Sequence, residues 1–137
     1  MSDTITIMER LESQNELDKM HWAIKSRRQK VYENLVWVEM VNNKIRKARP
    51  GEVFKLKITV HRKRLIEDYW NIAGGLKLLL DALSHPERRK PRMFKGKLVY
   101  PGGVGLIWDD SIKYIGQPMV SQEKGETDFI VITRIKK

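Results

Sequence analysis

A block of cations from His61 to Arg64 is followed by the acidic pair Glu67-Asp68, then Asn71, the step Gly74-Gly75 and Lys77. A second acidic pair, Asp109 and Asp110, stands later in the run GLIWDDS. Carboxylate oxygens hold hard divalent cations, and a lysine beside them can neutralise charge that develops on a phosphate. Brought to one point, Asp68, Asp110 or Asp109, and Lys77 would make a site for a phosphodiester and a metal ion. Each residue also has a plainer duty open to it. Asp68 can cap the helix that follows, and Asp109 or Asp110 can close a turn. Lys77 can pair with Asp81 one helical turn on, worth about a few tenths of a kcal/mol when exposed.

These residues must be positioned by a strand and a helix. Phe54, Leu56, Ile58 and Val60 alternate with Lys55, Lys57, Thr59 and His61, the period of a strand with one buried face. Ile72, Leu76, Leu79, Leu80 and Leu83 then form a helical stripe over about 71–83, so the site should lie where this strand ends and this helix begins. Gly74 and Gly75 weaken the first turn, so they lie at the helix entrance or the backbone approaches something closely there. Upstream, Thr4–Met8 reads as a first strand, Arg10–Glu16 as a polar link, and about Ala23–Lys47 as one long amphipathic helix ended by Pro50-Gly51. Its expected buried stripe is Ile24, Val31, Leu35, Val38, Val41 and Ile45. Lys25, Arg27, Arg28 and Lys30 cluster in its first part, either facing phosphates or forming a solvated face.

Residues 84–104 form a basic insertion, with Arg88, Arg89, Lys90, Arg92, Lys95 and Lys97 against the single acid Glu87, and read as a loop or a small hairpin around Met93–Tyr100. Lys113–Gln122 and Asp128–Lys136 are strand candidates, expected to pair as an antiparallel hairpin across Glu123–Thr127. The expected fold is a single α/β domain over residues 1–137, a mixed sheet with two helices in the order strand-helix-strand-helix-strand-strand.

The 137 residues suit one domain, and the net charge of +10 favours an anionic partner, nucleic acid ahead of an acidic membrane surface. No apolar run approaches the roughly 20 residues of a membrane span, and the N-terminus lacks the pattern of a signal peptide. A cytoplasmic protein is expected. Without cysteine there is no disulfide, thiolate zinc site or iron-sulfur cluster, and His21, His61 and His85 have no zinc-binding spacing. Trp70 could stack on an unpaired base or fill the core, and Trp22, Trp37 and Trp108 read as core.

Together the motifs resemble the RusA-like endodeoxyribonucleases of phages and prophages, small magnesium-dependent Holliday-junction resolvases. The phage pattern Asp-x-Asp-Asn-Leu-x-Gly-Gly-x-Lys, then Asp-Ala-Leu and Gly-Leu-Ile-x-Asp-Asp-Ser, is met by Asp68, Asn71, Gly74, Gly75, Lys77, Asp81-Ala82-Leu83 and Gly105 to Ser111. NELDKMHWAIKSRR, Asn15 to Arg28, is similar to the family's segment between first strand and first helix. Two departures stand out: Trp70 falls where the second aspartate belongs, and 84–104 replaces a connection of a few residues.

The resemblance implies Asp68 and Asp110 as magnesium ligands and Lys77 as an aid at the phosphate; Glu67 and Asp109 are the neighbouring carboxylates able to substitute for the missing one. An indole offers magnesium no oxygen, so weak metal binding is expected. It also implies branched DNA, in particular four-way junctions, as substrate and a homodimer as the assembly, with the long helix and the sheet edge as the expected interface. Arg27, Arg28, Arg62, Lys63, Arg64, Arg88, Arg89, Lys90 and Arg92 are the candidate DNA contacts. The alternative is a DNA-binding protein on the same scaffold whose metal site has decayed.

Overall fold

The computed structural model describes residues 2–137. Along the chain lie β1 (Ser2–Ile7), α1 (Gln14–Asp18), α2 (Trp22–Asn42), β2 (Phe54–Arg62), α3 (Tyr69–Leu83), β3 (Arg92–Phe94), β4 (Lys97–Val99), α4 (Ile112–Ile115), β5 (Met119–Lys124) and β6 (Phe129–Lys136). The domain is mixed α/β, with a four-stranded sheet ordered β1-β6-β2-β5 and a separate ribbon of β3 and β4. The two long helices and four main strands follow the expected order. Two short helices, α1 and α4, are added where a polar link and the start of a strand were expected.

The period of two in β2 places Phe54, Leu56, Ile58 and Val60 in the core, each at most 2% exposed. Its register with β6 sets Ile58 beside Ile132 and Val60 beside Ile130, and β1 adds Ile5 and Ile7 to the same rows. All these side chains share one face, and α2 and α3 cover it with Tyr32, Val36, Met40, Leu76, Leu79 and Leu83. The opposite face stays open, with Lys55 and Lys57 exposed and His61 stacked on Phe129 at 3.9 Å. A two-layer domain results, with a single core between helices and sheet.

Two expectations change here. The strands β5 and β6 do not form a hairpin, because β2 lies between them, parallel to β5 and antiparallel to β6. The short connection 125–128 crosses the end of β2, where the Gly125 N–H donates to the Arg62 carbonyl and the Lys63 N–H to Asp128 Oδ1. Four residues can span the roughly 10 Å between strands two places apart. A short loop is therefore no proof of direct pairing.

The long helix stops at Asn42, not near Lys47. Lys44 turns into the left-handed region at φ 54°, and the Ile45 and Lys44 N–H groups donate back to the Met40 and Val41 carbonyls at 2.8 and 3.3 Å. These are the two hydrogen bonds of a Schellman cap, with Ile45 as the apolar residue that packs back onto the core. Ile45 thus keeps the helical period in the sequence while lying outside the helix. The buried face of α2 is Tyr32, Val36 and Met40, whereas Val38 and Val41 are more than half exposed. Tyr32 earns that place through its polar end, since its hydroxyl donates to the Arg10 carbonyl at 2.8 Å.

Candidate functional site

The junction of β2 and α3 does form a cleft, of about 850 Å³, lined by Arg10, Glu16, Lys63, Arg64, Glu67, Asp68 and Asn71 among others. Its floor is an ion network. Arg62 is only 6% exposed, and it donates to the Leu11 carbonyl at 3.0 Å and to Glu16 at 3.2 Å. Arg10 bridges Glu12 and Glu16, and Arg28 bridges Glu9 and Glu12. Burial opposes ionisation of Glu16, but the Ser13 N–H and the charges of Arg10 and Arg62 outweigh it and hold the carboxyl below its usual range. Arg28 acts in the same way on Glu9. Arg28 and Arg62 are therefore structural cations, committed to carboxylates and a carbonyl.

Asp68 takes the plainer of its two roles. As N-cap of α3 it accepts a hydrogen bond from the Trp70 N–H at 2.7 Å. Glu67 is exposed beside it on the cleft. Asn71 Oδ1 accepts from the Asn15 N–H at 3.2 Å, which ties α3 to α1. The glycine step serves the same packing. A Cβ at Gly75 would stand 1.8 Å from the Glu12 carbonyl oxygen, and one at Gly74 would stand 2.0 Å from Gln14 Oε1. The close approach is to the 12–14 segment, and the glycines lie inside the helix rather than at its entrance.

Asp110 and Lys77 are brought together. The Lys77 ammonium bonds Asp110, and it also bonds Asp81 Oδ1 at 3.1 Å. The backbone explains why. Residues 104–108 run beside the end of α3, with the Val104, Gly105 and Ile107 N–H groups donating to the Ala82, Ser84 and Leu83 carbonyls and the His85 N–H to the Trp108 carbonyl. Gly103 permits this entry, since a Cβ there would lie 1.9 Å from the Ser84 carbonyl oxygen. Arg134, 2% exposed, anchors the same segment by donating to the Leu106 carbonyl while paired with Asp3. Asp110 is thereby set over the second half of the helix, and Asp109 accepts the Asp110 N–H and lies 3.7 Å from Arg88 Nε.

Burial opposes the charge on Asp110, yet the bond and charge of Lys77, the bond to Asp109 and the charge of Arg88 leave its carboxyl below the ordinary range. Lys77 is correspondingly raised by Asp110 and Asp81 against the opposing effect of burial.

The four residues proposed for one point therefore lie in two places. Nine residues separate Asp68 from Lys77 on α3, about 13 Å along the axis, and Lys77 reaches Asp81 one turn further on. The two ligands implied by the resemblance are engaged separately, Asp68 as the cap of α3 and Asp110 with Lys77. Among the described residues no three histidine, aspartate or glutamate side chains are grouped to hold a metal. Asp110 instead converges with Asp81, both bonded to one ammonium. Two carboxylates meeting on one cation, with phosphate and water to complete the shell, suit magnesium, so the donor chemistry of Asp81 and Asp110 fits it. In the sequence Asp81 stands as an ion-pair partner of Lys77 and as part of the Asp81-Ala82-Leu83 motif, without a ligand role. Its spacing of four from Lys77 was the visible signal.

Of the other candidate DNA contacts, Arg27, Lys63, Arg64, Arg89, Lys90 and Arg92 are exposed. The Arg88 side chain is 5% exposed and donates to the His85 and Gly102 carbonyls, so it braces the loop. Trp70 and Trp22 are 76% and 74% exposed and Trp37 is 45% exposed, which removes all three from the core. Trp108 is partly buried against His85. No described helix is long and apolar enough to cross a membrane. No family model, curated protein or solved structure matches the chain, so the likeness described above rests on its motif residues.

Proposed function

We propose that this chain is a cytoplasmic, RusA-like, magnesium-dependent endodeoxyribonuclease that binds branched DNA as a homodimer. The observation that carries the reading is the triad Lys77, Asp81 and Asp110: Asp110, 33 residues beyond Lys77, joins the helical pair Lys77 and Asp81, so that residues of the motif pattern converge as two carboxylates and one ammonium. Asp81 and Asp110 would hold the metal once a phosphate oxygen and water complete its shell. Bound there, magnesium would supply an activated water and neutralise charge on the phosphate. Lys77 would leave its carboxylates and turn to a phosphate oxygen, stabilising the charge that builds there. Six free cations, Arg27, Lys63, Arg64, Arg89, Lys90 and Arg92, would hold the DNA backbone, and a net charge of +10 would draw it in.

Trp70 favours a second reading, DNA binding without cleavage. It stands exposed in the first turn of α3 at the position of an expected ligand aspartate, and its neighbour Asp68 is engaged as a cap. The test is a magnesium titration on a labelled four-way junction, with affinity and cleavage read separately. Metal-dependent cleavage abolished by Asp110→Asn is expected. Tight, salt-sensitive binding with no cleavage at any metal concentration selects the second reading. No binding to junction or duplex at low salt refutes both.

A further inference from the structure

Of the two forms expected for the basic insertion, the small hairpin is the one present, as a ribbon within a longer connection. Arg92–Phe94 and Lys97–Val99 pair antiparallel with each other and with no other strand, in the register Arg92↔Val99, Met93↔Leu98, Phe94↔Lys97. The turn Lys95-Gly96 has φ of 50° and 77°, two successive left-handed residues, as a tight type I′ hairpin requires. Its root is fixed. Arg88 donates to the Gly102 carbonyl, and the Gly103 N–H donates to Glu33 of α2.

The composition of the ribbon is unusual for a solvated hairpin. Met93 and Leu98 share one face, and Phe94, Val99, Arg92 and Lys97 share the other. Met93, Phe94, Leu98 and Tyr100 are each more than half exposed, with no core beneath them. An isolated two-stranded ribbon is marginal in water, so a hairpin of this kind is completed by what it binds. Its charge says what that is: Arg89, Lys90, Arg92, Lys95 and Lys97 are exposed and no acid stands between Arg88 and Trp108. A polyanion with apolar faces of its own fits both features, and nucleic acid is that partner.

We propose that this ribbon is a branch-reading arm: its lysines and arginines lie along phosphates where two DNA arms converge, and Phe94 at its tip stacks on a base left unpaired at the branch. The reading rests on DNA being the ligand. Linear duplex can satisfy the cations, because a two-stranded ribbon fits the roughly 12 Å major groove. It offers no free base face to Phe94, whereas a branch point does.

The test uses the full chain in calcium instead of magnesium, with fluorescence anisotropy on a four-way junction and on linear duplex built from its arms. Phe94 and the tip lysines are exposed, so the variants should melt with the wild type. Phe94→Ala should weaken junction binding by about 5- to 150-fold, the range of one lost aromatic-base stack, and leave duplex binding within about twofold. Lys95→Ala with Lys97→Ala should weaken both ligands and lower the slope of log affinity against log salt by about two. The arm is overturned if the wild type binds the junction and Phe94→Ala binds it equally well, or if Phe94→Ala loses as much on duplex as on junction. It is also overturned if Phe94→Ala halves the mass in light scattering, which would assign the ribbon to a second copy of the chain. A wild type that binds neither DNA refutes the DNA reading itself, a separate result from the failure of the arm.

Discussion

Replacing Lys77 by methionine, which keeps the apolar stem and removes the charge, isolates the convergence of Asp81 and Asp110. Hydrogen bonds to charged groups contribute about 1.5–3 kcal/mol when shielded, and the Asp110 side chain is 13% exposed. The Asp81 pair is an i,i+4 surface contact worth about 0.3–0.5 kcal/mol. Lys77 is itself 58% exposed, so solvent screening reduces the sum, and a loss of about 1–2 kcal/mol at pH 7 is expected. That corresponds to a fall in Tm of about 3–7 °C for a chain of this size.

The pH dependence follows from the direction of the two shifts. Asp110 is depressed in the folded protein, so its contribution is present above the unfolded value of about 3.9 and is lost as pH falls through the folded value. Lys77 is raised, so its contribution is present below about 10.4 and is lost as pH rises through its folded value. The gap between wild type and Lys77→Met should therefore be widest between these limits and close in acid.

Magnesium should then stabilise the variant more than the wild type. The variant presents two carboxylates without an internal cation, and metal at ten times its Kd would restore about 1.4 kcal/mol, while the wild type must first displace Lys77. Urea unfolding at pH 7 and near pH 3, each with and without magnesium chloride, reads all three effects. Equal stability of the two proteins at pH 7, a gap unchanged in acid, or equal response to magnesium would refute the assignment of this triad.

Gly75→Ala should destabilise by about 1–3 kcal/mol in urea unfolding, because its Cβ would meet the Glu12 carbonyl oxygen at 1.8 Å and backbone cannot swing aside; an unchanged midpoint would count against the packing of the segment at Glu12 and Ser13 on α3. Trp70→Asp should leave stability within about 1 kcal/mol, since the indole is 76% exposed and an acid is favoured in a helix's first turn. It should raise metal-dependent junction cleavage if this position serves the metal, and a rate equal to wild type would remove it from the site. A homodimer should show in light scattering at micromolar concentration and be weakened by Val41→Glu, since Trp37, Val38 and Val41 are exposed along α2; a mass of 16.1 kDa for the wild type would refute it.

The strand β2 and the helix α3 were legible in the sequence because their periods are set by local geometry, two for a pleated strand and 3.6 for a helix. The same reading expects the site at their junction, where the structure has a cleft, whereas Lys77, Asp81 and Asp110 meet further along α3. Period two also carried Arg62 and Arg134 onto the buried face, continuing Val60 and Ile132, a signal overlooked in treating Arg62 as a free cation. Three matters depended on residues distant in the chain. Nothing local says that β2 slides between β5 and β6, since strand order is chosen by which faces bury together. Nor does Gly74-Gly75 reveal that its close neighbour is the Glu12 to Gln14 segment rather than a ligand. The site itself was divided for the same reason. Motif spacing measures separation along the chain, whereas the backbone bonds from residues 104–108 to the end of α3 decided that Asp110 would face Lys77 and Asp81, about two and a half turns from Asp68.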